Sequence, residues 1–511
     1  MLKMSLTILL AILFIISVPY ILIIIPFTKT RSKNGGKHPP GPLPLPIIGN
    51  LHMLTTLPHR GLQKLAQKYG PIMCLRLGQV LTVVVSSPEA AELFLKRHDA
   101  VFASRPRIQA SDYVSYGSKG MAFCEYGPYW RNVKKLSTSQ LTSPSKIEFF
   151  AGLRRDEVVS LVDELKRVAA AHEVVDISGK VGELIETITY KMILGRNNDD
   201  KYDLKGIIEE SLSLMGAFNL ADYVPWLGPL DLQGLTRRLK TVSKGIDHLM
   251  ENILVEHEQK GEHDSTQDFV DVLLSLKNQH DTNPQSDDSY QVLTIERDNI
   301  KAILLDMLVG AFDTASATIS WAFSELLRNA RVMKNVQAEL ESVVGTEKMV
   351  EEKDLGKLQY LDMVIKETFR LHPVGPLLAP RESREDIIIE GHYIPKKTRI
   401  LVNVWAIGRD PNVWSKNVEE FYPERFIGKD IDVRGHDFKF LPFGAGRRAC
   451  PGMQLGLVTV RYVLAQLLHC FIWELPSGME DKDIDMTESF GLVVGRANSN
   501  LLVKPTYRLL D

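Results

Sequence analysis

Ten residues near the carboxyl end, Phe443-Gly444-Ala445-Gly446-Arg447-Arg448-Ala449-Cys450-Pro451-Gly452, constrain this chain more than any other stretch. The glycine-rich loop ends on a single cysteine and opens into an apolar segment of helical spacing that begins near Met453. A thiol just ahead of a helix amino terminus meets unpaired N–H groups and the positive end of the helix dipole, which predicts a pKa lowered toward thiolate. A thiolate is a metal ligand or a nucleophile. Zinc does not suit the spacing, because Cys74, Cys124 and Cys470 lie far apart and make no Cys-x-x-Cys or Cys/His cluster. The alternative is a buried structural cysteine beside a glycine turn, the ordinary fate of a free thiol.

The loop must sit inside a large structure. With 511 residues the chain is long enough for one large domain or several ordinary ones, and it shows no internal repeat. Its 61 Lys and Arg nearly match its 63 Asp and Glu, and no basic stripe is available to nucleic acid. Four scattered cysteines make no disulfide framework, which points to a reducing compartment for the globular part.

From Met4 to Thr28 no residue is charged, and Leu6 to Ile25 is dominated by Leu and Ile. That is long enough for a membrane-spanning helix, which needs about 20 apolar residues; a cleaved signal peptide would have an apolar region of about 7 to 15. Lys29, Arg31, Lys33 and Lys37 follow the span against Lys3 before it, so the bulk of the chain is expected to stay cytoplasmic. Pro39-Pro40-Gly41-Pro42-Leu43-Pro44-Leu45-Pro46 cannot be helical and reads as a stiff connector. These boundaries give an anchor over 4–28, a basic and proline-rich linker over 29–46 and a domain over 47–511.

Within the domain, Ile72 to Leu77 and Leu81 to Val85, broken by Gly78-Gln79, predict a hairpin. Ile387 to Ile389, Tyr393 to Ile394 and Arg399 to Val404 predict further strands, and most of the rest has helical spacing; the polar stretch from about 278 to 291 reads as a loop. The longest helix is expected from Thr294 to Leu327, roughly 50 Å at about 1.5 Å per residue. From Met307 to Ser324 its only charge is Asp313, so its middle is expected to be buried. A buried carboxylate beside small residues Gly310 and Ala311 is costly unless it is paired or functional. The plain alternative is an ordinary helix in which Thr314 bonds back to a carbonyl one turn earlier.

One anionic sulfur, glycines that admit a flat ligand and two arginines that can meet carboxylates suit haem. Phe443, Gly446, Arg448, Cys450 and Gly452 form a Phe-x-x-Gly-x-Arg-x-Cys-x-Gly pattern that resembles the haem-binding signature of the cytochrome P-450 family. The resemblance runs from Pro39 to the end, most closely to plant microsomal members, notably in the cysteine loop and in Trp405-Ala406-Ile407-Gly408-Arg409-Asp410-Pro411. It implies a mainly α fold with small β-sheets, one large haem-thiolate domain behind one N-terminal transmembrane helix in the endoplasmic reticulum membrane.

The resemblance also implies roles. Cys450 would be the axial ligand of haem b (iron protoporphyrin IX), and Asp313 and Thr314 would help deliver protons to dioxygen. Gly310-Ala311-Phe312-Asp313-Thr314 matches the family's oxygen-binding element, although Ala311 and Ala315 depart from it. Trp130, Lys134, Arg381 and Arg448 would hold the haem propionates, with Lys134 standing where the family usually has arginine, and Phe443 would complete the cofactor set. Glu367 and Arg370, at i and i+3, look like an exposed pair contributing about 0.3–0.5 kcal/mol if taken alone. With Arg425 they resemble the family's buried Glu-Arg-Arg cluster, a structural lock on the cysteine loop.

The activity implied is insertion of one oxygen atom from O2 into a small apolar substrate, a terpenoid or an aromatic. Electrons would come from NADPH through a separate FAD/FMN flavoprotein reductase. Phe123, Phe218, Phe312, Val374, Leu378 and Phe490 are the expected pocket residues, each equally open to ordinary core packing. Two alternatives are a haem-thiolate isomerase or dehydratase working without O2, and a catalytically silent haem scaffold.

Overall fold

The computed structural model describes residues 36–196, 204–259, 268–282, 295–415 and 417–510. The proposed span over 4–28 lies outside the described residues. In chain order the elements that position the site are helix α1 (Pro58–Tyr69), strands β1 (Ile72–Leu77) and β2 (Val80–Val85), and helices α2 (Pro128–Ser137), α3 (Ile177–Leu194), α4 (Leu204–Gly216), α5 (Arg297–Arg328) and α6 (Gln359–Leu371). Strands β3 (Arg381–Glu382) and β4 (Arg399–Val402) and helix α7 (Met453–Cys470) follow.

The hairpin forms because Gly78 takes a left-handed φ of 56°, which reverses the chain between two nearly continuous apolar runs. Strand β2 pairs antiparallel with β1, Ile72 opposite Val85, and parallel with β4, Val83 opposite Ile400; β4 then pairs antiparallel with β3. Val83 and Val85 enter one core cluster while Val84 enters another, so alternation buries both faces. The predicted strand from Arg399 ends at Val402, and Asn403 caps a short helix, Val404–Ile407, by accepting from Ala406 N.

Helix α5 runs through the largest core cluster and packs on α3, α6 and α7. Among the described helices it alone is long and apolar enough to cross a membrane. It is a core helix: Ile300, Ile303, Leu304, Leu308, Ile319 and Ala322 are buried. The proline-rich connector does not stand off from the domain. Lys37 bridges to His392, Cys74 N donates to Pro40 O at 2.8 Å, and Asn50 Nδ2 donates to Leu43 O at 3.1 Å. The packed body thus begins near residue 37, because the proline carbonyls find donors on β1 and its neighbours.

Candidate active site

The cysteine loop is shaped by two glycines in left-handed conformation, Gly444 (φ 67°) and Gly446 (φ 72°). A side chain at 446 would run into Leu95 O. Cys450 N donates to Phe443 O at 3.0 Å, closing the loop ahead of α7. The expected lowering of the Cys450 pKa is not what the fold produces. Burial raises it, outweighing the Gly452 N–H and the nearby Lys134 charge that lower it. The helix terminus is a local term, and the surrounding protein removes more hydration than it returns. A coordinated cation takes the proton from such a thiol outright.

Although protein encloses the Cys450 sulfur, the residue is exposed, so it borders an interior space. On α5, Gly310 is likewise exposed in mid-helix, with no heavy atom within 4 Å of where a Cβ would stand. Thr314 Oγ1 donates to Gly310 O at 2.9 Å, so the backbone-bonded alternative describes the hydroxyl as it rests here. Asp313 turns toward α4; burial and then Glu209 push its carboxyl up to about 6, against the opposing Lys205.

The predicted cation set comes together. Arg448 stacks 4.3 Å from the Trp130 ring and donates to Ala103 O (2.7 Å), Met121 O (3.2 Å) and Cys124 O (2.5 Å). Lys134 Nζ lies 5.1 Å from the same ring and donates to Arg447 O at 2.7 Å. Arg381 pairs with Asp99 at 2.9 Å and donates to Ala445 O at 2.7 Å. Sequence reasoning missed a fourth cation, Arg105, which donates to Ala122 O, Ala379 O and Pro380 O.

Burial, then its neighbours Arg448 and Arg381, push the Arg105 pKa well below its usual value; burial likewise brings Arg448 to about 10 and lowers Lys134. Among the described residues Arg105, Arg448 and Lys134 have no carboxylate in ion-pair range. Three desolvated cations held by carbonyls and the Trp130 ring, without an anion, form an unfavourable arrangement that a dianionic ligand relieves. A flat group with two carboxylates and a metal for the sulfur therefore fits the residues present.

Glu367 and Arg370 are fully buried, which sets them apart from an exposed pair taken alone. The Glu367 carboxylate accepts from Arg370 Nε (2.7 Å) and Nη2 (2.8 Å), Arg425 Nε (2.8 Å) and Tyr422 N (2.9 Å). Arg370 also donates to Gly408 O and Val418 O, and Arg425 to Trp414 O and Asn417 O. Next to this cluster on α6, Phe369 meets Phe443 edge-to-face at 5.2 Å, a packing link to the cysteine loop.

The expected pocket residues border three core clusters, with Phe123 and Phe312 in one, Leu378 against a second, and Phe218 and Phe490 against a third. Phe218 and Phe490 stack at 6.1 Å in the cluster under β1 and β2. Leu378 lies against Gly444, and Phe123 is buried near Cys124. Val374 accepts from Val494 N at 2.8 Å. Phe312 packs edge-to-face on Tyr190 of α3 at 5.4 Å. Two residues along a helix is about 200°, so Phe312 points away from the face that Gly310 presents.

The sequence model of the family described as "Cytochrome P450" matches residues 39–503. Cytochrome P450 CYP736A12 of Panax ginseng is 55% identical over 478 residues, 93% of this chain and 95% of that protein. Germacrene A hydroxylase of Saussurea costus is 42% identical over 480 residues, 94% and 96% of the two chains. A zebra fish cytochrome P450 solved with abiraterone superposes with a TM-score of 0.72 at 27% identity, covering 88% of this chain and 100% of that one.

Proposed function

Because this chain belongs to the cytochrome P450 family, and so is a haem b-dependent monooxygenase served by a separate redox partner, we propose that it hydroxylates a small, largely apolar terpenoid or aromatic substrate. Electrons come from NADPH through an FAD/FMN flavoprotein reductase. The observation that carries this reading is the Cys450 sulfur opening on an interior space beside three carbonyl-held cations. The terpenoid class is supported by the likeness to germacrene A hydroxylase.

In this reading Cys450 holds the haem iron, and Arg448, Arg105, Lys134, Arg381 and Trp130 hold its carboxylates. When bound, haem supplies dioxygen activation and oxygen insertion, which thiolate donation favours. The protein's own work is positioning, drying and proton supply. Glu367, Arg370 and Arg425 fix the loop. Asp313, reached from the exposed Lys205 and Glu209 on α4, holds a proton near the working pH, and the Thr314 hydroxyl passes it inward by leaving Gly310 O.

Thr314→Ala is expected to keep haem and substrate binding but to divert electrons to hydrogen peroxide, lowering product per NADPH roughly 10²-fold, the lower range for a lost proton donor. In the wild type, coupling falls as pH rises above about 6 and Asp313 ionises. Asp313→Asn flattens that profile at a low level. Unchanged coupling in Thr314→Ala, measured with reductase and NADPH, removes Thr314 from the mechanism.

We also infer attachment to the endoplasmic reticulum membrane by a single N-terminal span, with the catalytic domain cytoplasmic. Leu43, Leu45 and Ile47 on one loop and Trp226, Leu230 and Leu232 on another are exposed. The β1–β2 turn brings the two loops to one side, since Gly78 N bonds Ile48 O and Gln79 N bonds Tyr223 O. Protein lacking residues 1–35 is expected to retain vesicle binding, and Leu43→Ser with Trp226→Ser to weaken it at least about ten-fold. Sedimentation with phospholipid vesicles measures this, and equal binding by the double variant would remove these loops from the membrane surface.

A further inference from the structure

Asp306 lies two turns before Thr314 on α5, and neither the proton path nor the cofactor set uses it. Protein surrounds it, yet its surface is partly open, so it borders interior space as Gly310 does one turn later on the same face. Its Oδ2 accepts from Ala122 N at 2.8 Å, and Met121 N also donates to the carboxylate. Gly120 allows the approach, since any side chain there would overlap the carboxylate. No side-chain cation, hydroxyl or amide among the described residues reaches it.

A neutral acceptor would serve two backbone amides as well, so an uncompensated buried negative charge calls for a further donor. We propose that Asp306 is the polar anchor of the substrate cavity, receiving a hydroxyl or protonated amine of the substrate. Eight residues at about 1.5 Å each put this anchor about 12 Å along the helix from Thr314. The donor therefore sits at the end of the molecule opposite the bond that is oxidised, which narrows the substrate from apolar to apolar with one terminal donor.

Only the position of the oxidised bond rests on the monooxygenase reading; recognition by Asp306 is measured without turnover. The test is calorimetric titration of the full-length, haem-loaded protein with farnesene, farnesol and farnesylamine, for the wild type, Asp306→Asn and Asp306→Leu. At pH 7.5 the wild type is expected to bind the alcohol and the amine about 10- to 100-fold tighter than the hydrocarbon, the range of a hydrogen bond to a charged group. Asp306→Asn keeps the preference for the alcohol and loses that for the amine; Asp306→Leu loses both.

Burial pushes the Asp306 carboxyl up to about 6, so the wild-type amine preference should shrink below that pH. The titratable groups that face it, Cys124 and Tyr129, are pushed up to about 12 by burial and stay neutral throughout, while Arg448 and Arg105 are turned to the carbonyls of the same loop. A wild type that binds the three probes equally, or binds none, overturns the proposal, as does a preference that survives in Asp306→Leu. If Asp306→Leu fails to fold, the alcohol–amine split in Asp306→Asn decides. Intact preference without any NADPH-dependent turnover would instead count against the reaction assignment.

Discussion

Glu367→Gln is expected to destabilise the protein by about 3–5 kcal/mol, the cost of breaking a buried ion pair from one side. The substitution preserves shape but replaces a carboxylate that accepts four bonds with an amide that turns donors toward two guanidinium groups. Arg370 and Arg425 are then left buried without an anion. Their remaining partners are the carbonyls of residues 408, 414, 417, 418 and 420, all on the segment that leads to the cysteine loop. Loss of that segment's anchor is transmitted through Phe426, Phe440 and Phe443, so haem retention falls along with stability. The urea midpoint and the ratio of haem to protein measure the two effects. A variant with wild-type values for both would mean that the cluster does not hold the loop.

Cys450→Ser is expected to abolish thiolate ligation while leaving the fold in place. The loop's shape depends on Gly444, Gly446 and the Cys450 N–H to Phe443 O bond, none of which involves the sulfur. The cations above it are likewise held by backbone carbonyls. A serine hydroxyl fits the space but is a poor metal ligand at neutral pH. Oxygenation with reductase and NADPH should drop to background, whereas the unfolding free energy of the haem-free protein, measured by denaturant titration, should change by less than about 1 kcal/mol, as expected for a substitution that creates no large cavity. Retained turnover would show that another residue supplies the ligand.

How far these features could be read from sequence follows the range of the interactions that make them. The β1–β2 hairpin and α5 were legible because each rests on local pattern: a glycine turn between two short apolar runs, and apolar residues every three or four positions. The Cys450 loop was legible for the same reason. Its pKa direction was not, because burial by distant segments outweighs the local helix terminus. Arg105 joins the cation set only through contacts to residues 122, 379 and 380, which no spacing around 105 announces. Spacing on α6 alone makes Glu367 and Arg370 an exposed pair, and only the family resemblance pointed to the buried cluster, because nothing on α6 reveals that Arg425 and Tyr422 close over them. Phe312 is different: helical phase alone places it on the side of α5 opposite Gly310, where it packs on Tyr190. Asp306, between Leu305 and Met307, was available in the sequence too, as a carboxylate one turn before Gly310.

The central claim is that Cys450 holds haem as a thiolate. Its most direct test is the carbon monoxide difference spectrum of the reduced protein in membranes, with Cys450→Ser beside it. A strongly red-shifted Soret band in the wild type that disappears in the variant is the predicted result; well-expressed wild-type protein without that band, or a variant that keeps it, would contradict the claim.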